Sequence, residues 1–503
     1  MLKYLKNPFV LSFISGLFAG YSILNGVFIL AWVCFVPLFI ALHKKTLKQS
    51  LILGIIFGFA TYLNGFWMIT LTSSFTGSGI GIGLMLMFIC TLVTVLFRAL
   101  MMLVLFFISS IKNNHLIVNA LNFATAVVLI ETVWNLPLSG LPWLYYHTGD
   151  TLLENLYAIQ PAAYFGIHIL TFAVIFSNYL FASLIIQKKW RKLHLPVLFI
   201  LLYLFSGWVL VQLFDKKLSP SGKPFKVAIL TDNVPPETKW NDATGNQIVA
   251  NILDLNKKAS ELKPNIILWS ESAIPWTYRP NDDLLKEIHK ITDPNQITHL
   301  LGMNTDFSGN MLYNSVYCIL PNGTVSGRYD KSKSLDFIEG RIGGILVPFF
   351  STEGFYVKEG ENPKPLETPY GKAGVMICNE SFLSGSAVNM AKKGAEFLVN
   401  PSNDGWFRET AIVGMHFLNA RLRAVETRKD IVINSNNGLC AMVEASGRIA
   451  LKRKASEPFV ELVTVTPNNE CSFYTSYPNL FIYLCVIYLV SFISFGLYKR
   501  IRK

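Results

Sequence analysis

Charge is scarce in this 503-residue chain: Asp, Glu, Lys and Arg make up 15% of it, against 52% hydrophobic residues and a mean hydropathy of +0.40. An ordinary soluble domain carries about 25% charged residues. The shortage excludes a wholly water-exposed protein and assigns part of the chain to lipid. Acidic residues are the scarcer sign, 32 against 44 basic, for a net charge of +12. No basic stripe interleaved with aromatics accompanies that excess, so a nucleic-acid partner is not expected. The basic residues cluster beside apolar runs, at Lys3 and Lys6, His43 to Lys48, Lys188 to Lys192 and Lys499 to Lys503, where membrane lipid headgroups are the natural partners. The seven cysteines form no CxxC pair and no Cys/His spacing suited to zinc, so no metal site or cofactor is expected. Internal repeats and low-complexity stretches are also missing. The first apolar run leads straight into a second, which reads as a retained membrane helix rather than a signal peptide.

What is present begins with apolar runs at 8–24, 27–43, 51–71, 80–109, 116–135, 161–186, 194–214 and 479–497. Most approach the ~20 residues a bilayer crossing needs, so eight transmembrane helices are expected. Arg98, inside the fourth run, must face the bundle interior or mark where that helix leaves the membrane. The basic clusters all fall on one side of an eight-helix topology, the cytoplasmic side by the positive-inside rule. Three segments follow: a membrane domain over 1–214, a large insertion over 215–478 on the outer side, and an eighth helix with a basic tail over 479–503.

The insertion alternates short strands with helices. Strands are expected at 225–230, 265–269, 311–320, 371–378, 397–400 and 430–434, with a hairpin at 439–444 and 449–451. Helices are expected around 251–262, 387–393 and 416–429. This pattern predicts an α/β domain with a substantial sheet.

Three segments of that domain carry chemistry. In Trp269-Ser270-Glu271-Ser272-Ala273-Ile274-Pro275 a carboxylate follows an apolar strand. In Arg328-Tyr329-Asp330-Lys331-Ser332-Lys333 an ammonium follows a strand and a glycine-bearing turn. In Ala373-Gly374-Val375-Met376-Ile377-Cys378-Asn379-Glu380-Ser381 an apolar run ends on a thiol. A carboxylate at a strand end can take a thiol proton, a nearby ammonium lowers a thiol pKa and stabilises an oxyanion, and a thiolate can hold an acyl group as a thioester. Glu, Lys and Cys in that order form a coherent acyl-transfer set. Taken singly, each has a plainer reading: a helix-start carboxylate, a solvated turn lysine and a core cysteine.

These residues resemble the Glu-Lys-Cys triad of the nitrilase (carbon–nitrogen hydrolase) superfamily. With membrane helices on both sides, the chain resembles the apolipoprotein N-acyltransferases of bacterial inner membranes. The likeness also rests on Gly140-Leu141-Pro142-Trp143-Leu144, Ser402-Asn403-Asp404-Gly405-Trp406-Phe407, Ser435-Asn436-Asn437-Gly438 and the helix from His416 to Glu426. It implies an α-β-β-α sandwich on the periplasmic side of a multi-pass protein of the inner membrane, monomeric by family precedent. The implied reaction moves an acyl chain from a phospholipid donor onto Cys378, then to the α-amine of a diacylated apolipoprotein. Glu271 is implied as general base, Lys331 as charge stabiliser and Cys378 as nucleophile. Glu339, Glu380, Trp240, Trp143, Trp406 and Asn379 are implied as supporting or substrate-binding residues. Two departures stand out: Ser334-Leu335-Asp336-Phe337-Ile338-Glu339 where the family usually reads Leu-Val-Pro-Phe-Gly-Glu, and Asn379 where it commonly has tyrosine. Phe349, Phe350, Phe355 and Tyr356 are candidates for a membrane-facing lid. A membrane-tethered amidase, with water resolving the thioester, shares the same residues, though Gly140–Leu144 favours the transferase. A transporter or receptor is disfavoured by the few charges in the apolar runs.

Overall fold

The computed structural model describes residues 7–63, 80–111, 115–141, 144–145, 147–235, 237–238, 241, 244–336, 339 and 356–501. Among them, six helices are long and apolar enough to cross a membrane: Pro8–Asn25, Gly83–Ser110, Leu116–Leu138, Ile167–Ile186, Trp190–Lys217 and Leu480–Lys499. This corrects the eight expected from hydropathy. The second and third runs fold as the shorter apolar helices Phe28–Leu42 and Leu47–Leu63, and residues 64–71 lie outside the described residues.

The second run has a local reason to fall short. It divides into Phe28–Ala31 and Val36–Leu42, with Pro37 in the first turn of the second piece. There the missing N–H of proline costs nothing, whereas inside one continuous helix it would break the ladder. Backbone groups freed at such a break need partners where water is absent. Asn178 supplies them: its Oδ1 accepts from the Phe35 N–H at 2.9 Å and its Nδ2 donates to the Ala31 carbonyl at 2.7 Å. Arg98 faces the interior, fully buried, with its guanidinium 4.8 Å from the Phe97 ring and 5.2 Å from the Phe57 ring.

After Lys217 the chain builds two sheets. The strands in chain order are β1 (Phe225–Thr231), β2 (Ile266–Trp269), β3 (Ile274–Thr277), β4 (Thr298–Ser308), β5 (Met311–Ile319), β6 (Val325–Asp330), β7 (Tyr356–Val357), β8 (Leu366–Thr368), β9 (Gly371–Val375), β10 (Phe397–Asn403), β11 (Ile431–Asn436), β12 (Leu439–Val443), β13 (Ile449–Lys454) and β14 (Phe459–Val465). One sheet runs β14-β1-β2-β4-β5-β6, with β3 on β4 and β7 on β5; the other runs β13-β12-β11-β10-β9-β8. Alternation along β1 shows how they stack. Val227 and Ile229 enter the core shared with Val375, Val399 and Val432 of the second sheet. Ala228 and Leu230 point the other way, under Ile252 and Leu285 of the helices Gly245–Glu261 and Asp283–Thr292. With Ser384–Lys392 and Ala411–Thr427 as the helices of the second half, the domain is an α-β-β-α sandwich.

The helix Ala411–Thr427 mounts this sandwich on the membrane helices. Phe417, Ala420 and Ala424, at helical spacing, join the hydrophobic core of the sandwich. Leu422 and Val425, on the other face, enter the core of the membrane domain. Between them the buried Arg421 donates to the carbonyls of Leu153 (3.0 Å), Glu154 (2.5 Å) and Gly447 (2.9 Å), joining both parts through one side chain.

Candidate active site

Strand ends deliver the three chemistry-bearing segments to one place. Glu271 sits two residues past β2, in a turn where Ser272 has φ +46°. Lys331 directly follows β6, and Cys378 lies three residues past β9 at the start of the short helical turn Cys378–Phe382. Cys378 itself has φ +49°, a conformation few side-chain-bearing residues adopt. Such strain, held by its surroundings, is a mark of functional turns.

The carboxylate of Glu271 is surrounded by donors. Its Oε1 accepts from Asn314 Nδ2 at 2.7 Å and Lys331 Nζ at 3.3 Å, and its Oε2 from the Asn403 N–H at 2.8 Å. Lys331 Nζ donates in turn to both oxygens of Glu339, at 2.9 and 2.7 Å. Burial works against the ammonium, yet the carboxylates of Glu339 and Glu271 outweigh it and hold the Lys331 pKa above the ordinary lysine value. Burial also raises the Glu271 pKa; Lys331 opposes that shift and Glu339 adds to it.

The thiol departs from the expectation that a nearby ammonium lowers its pKa. Burial, then the charge of Glu271, push the Cys378 pKa well above the usual thiol value, and Lys331 offsets only part of this. Charge adds to burial here: one ammonium already faces two carboxylates, so a standing thiolate would be a third anion. A standing thiolate is therefore disfavoured, and the thiol proton faces the Glu271 carboxylate. Moving that proton to Glu271 leaves the net charge of the cluster unchanged, which suits a base acting at the moment of attack.

Glu380 lies behind the reacting groups and holds two segments together. It accepts from the Ile377 N–H at 2.7 Å, the Ser332 N–H at 2.8 Å, the Ser332 hydroxyl at 2.6 Å and the Tyr329 hydroxyl at 2.9 Å. The lysine segment and the cysteine turn thus hang on one buried carboxylate. Asn379 is buried, with Nδ2 donating to the Lys333 carbonyl at 3.3 Å and Oδ1 without a partner among the described residues. In the altered loop, the Asp336 N–H donates to the Gly140 carbonyl at 2.9 Å. A Cβ on Gly140 would fall 2.2 Å from the Asp336 carboxyl carbon, so that glycine lets the loop dock against the membrane domain.

Three groups to which the sequence assigns no role of their own complete the site. Asn314, inside β5, bridges Glu271 and, at 3.4 Å, Glu339. Asp404 and His416 stand behind Cys378: His416 Nδ1 is 2.8 Å from Asp404 Oδ1, and Nε2 is 2.9 Å from the Cys378 carbonyl oxygen. Both ring nitrogens face acceptors, which only an imidazolium can satisfy with two N–H donors. Burial opposes that charge, but Asp404 prevails and raises the His416 pKa. His416→Gln keeps one donor at best. It is expected to slow acyl-enzyme formation by about 10- to 100-fold, the worth of a charged hydrogen bond of ~1.5–3 kcal/mol, with KM little changed. Stopped-flow acylation rates across pH would check this: in the parent, the rate falls as pH rises through the raised His416 pKa, and the variant lacks that step.

Trp143 and Trp240 lie outside the described residues, as do Phe349, Phe350 and Phe355. Trp406 falls in the short helical turn Gly405–Phe407, just after β10, and Tyr356 lies in β7 beside Met311.

A family model for carbon-nitrogen hydrolases matches residues 226–468, and a model for the apolipoprotein N-acyltransferase N-terminal domain matches residues 15–180. The chain is 26% identical over 495 residues to an apolipoprotein N-acyltransferase of Geobacter metallireducens, spanning 96% of this chain and 94% of that one. It is 26% identical over 486 residues to one of Vibrio vulnificus, spanning 92% of each. Among solved structures, it is similar to a carbon-nitrogen hydrolase from Helicobacter pylori G27, at 18% identity and a TM-score of 0.38, covering 51% of this chain and 94% of that one. The two family models occupy successive stretches, one over the membrane helices and one over the two sheets, and the relatives match both in a single alignment. The chain belongs to the apolipoprotein N-acyltransferase family.

Proposed function

We propose that this chain transfers an acyl chain from a membrane phospholipid, through a thioester on Cys378, to the α-amino group of the N-terminal diacylglyceryl cysteine of an apolipoprotein. Glu271 takes the thiol proton as Sγ attacks the ester carbonyl. Lys331 stabilises the oxyanion, and the proton passes to the departing lysophospholipid oxygen. The incoming amine then attacks the thioester and gives a proton to Glu271, and the thiolate leaves and recovers that proton. A lipoprotein α-amine has a pKa near ~8, so a carboxylate base suffices near neutral pH.

One observation carries the reading: a buried Glu271–Lys331 pair beside the half-buried Cys378 stands on a sandwich bolted directly to helices of membrane-crossing length. Both substrates are lipids, each chain held in the bilayer by ~0.8 kcal/mol per buried methylene, and a site at the membrane surface avoids extracting them. The basic clusters beside the apolar runs support a catalytic domain on the non-cytoplasmic side of the membrane.

The assay offers purified enzyme a phospholipid with a labelled acyl chain, with and without a diacylated lipopeptide bearing a free amine. Label is expected in an amide at the lipopeptide N-terminus. Release of labelled fatty acid with the lipopeptide unmodified would assign the chain to the hydrolases instead.

A further inference from the structure

A cavity of about 420 Å³ lies where the catalytic domain meets the membrane helices. None of Glu271, Lys331, Glu339, Cys378 and Glu380 lines it. Its wall is assembled where three spans reach the membrane surface: Phe214 and Lys217 end the helix Trp190–Lys217, Tyr164 precedes Ile167–Ile186, and Glu470 and Cys471 precede Leu480–Lys499. Arg428 joins them from the catalytic domain, at the left-handed cap (φ +58°) of the helix Ala411–Thr427.

Arg428 is unusual for its surroundings. It is 6% exposed, and its hydrogen bonds go to neutral oxygens, Gln160 Oε1 at 3.0 Å and the Ala445 carbonyl at 3.3 Å. Its guanidinium carbon sits 4.5 Å from the Phe214 ring centroid. Five N–H donors are available on a guanidinium, and among the described residues no carboxylate is bound to them. Asp215, whose charge reaches Arg428, is engaged by Arg448 at 2.6 and 3.0 Å. Glu470 is engaged by Lys217 at 3.0 Å. Burial lowers the Arg428 pKa to about 10, as expected of a cation without a close counter-charge. Removing a charge from water is costly unless something of opposite sign meets it.

We propose that this cavity binds the phosphodiester headgroup of a phospholipid in the leaflet facing the catalytic domain, with the phosphate between Arg428 and Lys217. The acyl chains lie against the outward face of the adjoining helix, where Leu201, Leu202, Phe205 and Leu213 are all exposed. Lys217 and Glu470 form an exposed pair, which opens at little cost to admit a phosphate. Glu470 then faces the ammonium of a zwitterionic headgroup. A lipid held here touches both parts of the protein and fastens the catalytic domain to the membrane surface. It is neither the acyl donor nor dependent on the transfer reaction.

Cys471 is exposed and lines the same cavity, so its alkylation reports occupancy in the unmodified full chain. In delipidated protein held in a maltoside detergent, phosphatidylethanolamine at about four times its Kd is expected to slow Cys471 alkylation ~fivefold, as single-site occupancy requires. Diacylglycerol, which lacks the phosphate, should leave the rate unchanged. So should inorganic phosphate and glycerophosphoethanolamine, which lack the chains. Lys217→Glu, at an exposed position away from Cys378, should abolish protection. Arg428→Gln should do the same in protein whose thermal unfolding remains cooperative. Alkylation equally fast with and without phospholipid would overturn the proposal. Equal protection by diacylglycerol or by inorganic phosphate would overturn it too, as would full protection retained in Lys217→Glu.

Discussion

Glu271→Gln is expected to reduce acyl-enzyme formation by ~10²–10⁴-fold, the range a general base contributes, while phospholipid binding is retained. Glutamine has nearly the shape of glutamate, so the loss isolates charge and proton affinity. The effect is large because burial and the Glu271 charge hold the Cys378 proton well above the usual thiol range, so attack needs a base to take it. The hydrogen-bond partners of the carboxylate are donors: Asn314 Nδ2, Lys331 Nζ and the Asn403 N–H. The amide N–H₂ of the introduced glutamine must therefore confront a donor in either orientation, at a stability cost of ~1–3 kcal/mol. The pH dependence has a definite sign. Activity needs the carboxylate form, and the Glu271 pKa is raised by burial, so the rate falls as pH drops through a value above the ordinary glutamate range. Rapid-quench measurement of the acylated fraction across pH should show this acid limb in the parent and none in Glu271→Gln.

Glu380→Gln is expected to cost both stability and rate, although Glu380 touches no reacting atom. Its carboxylate ties the Ile377 N–H, before the nucleophile, to Ser332 and Tyr329 beside the lysine. All are donors again, so the glutamine amide cannot replace both oxygens. Leaving a buried donor of this network unpaired costs ~1–3 kcal/mol. A shift of the two segments by about 1 Å lowers the acylation rate by ~10²-fold. Thermal unfolding and acylation kinetics measured on the same preparation check both effects. A variant with parental unfolding and parental kinetics would show that the lysine segment and cysteine turn hold their positions without this carboxylate. Glu380→Asp, which keeps the charge on a shorter arm, should recover part of the stability and less of the rate.

The three chemistry-bearing residues stand out in the sequence because each follows an apolar strand, and a polar residue after such a run marks a sheet end. The residues that orient them do not stand out. Asn314 is one polar position inside β5, and Asp404 and His416 meet only because β10 and the helix Ala411–Thr427 are packed together. The long strand β4 is hidden for a related reason. Its Thr298 and His299 read as surface positions, yet His299 is buried with Trp269 Nε1 at 3.1 Å and Thr292 Oγ1 at 3.0 Å. Its Gly302, which reads as a turn, is there because a Cβ would fall 2.1 Å from the Ser270 carbonyl oxygen, against the turn that carries Glu271. Hydropathy counts eight apolar runs but cannot see Asn178, from a distant helix, stabilising the break at 31–36. The thiol pKa runs opposite to expectation because spacing places Lys331 near Cys378 without revealing how deeply the thiol is enclosed or that the Glu271 charge outweighs the ammonium.

Mass spectrometry of the peptide containing Cys378, after the protein is incubated with phospholipid and no acceptor, tests the central claim most directly. The account predicts a mass increment of one acyl chain on Cys378, released by hydroxylamine and absent from Cys378→Ala. An unmodified Cys378 in protein that still transfers acyl chains to a lipopeptide, or an increment on another residue, would contradict it.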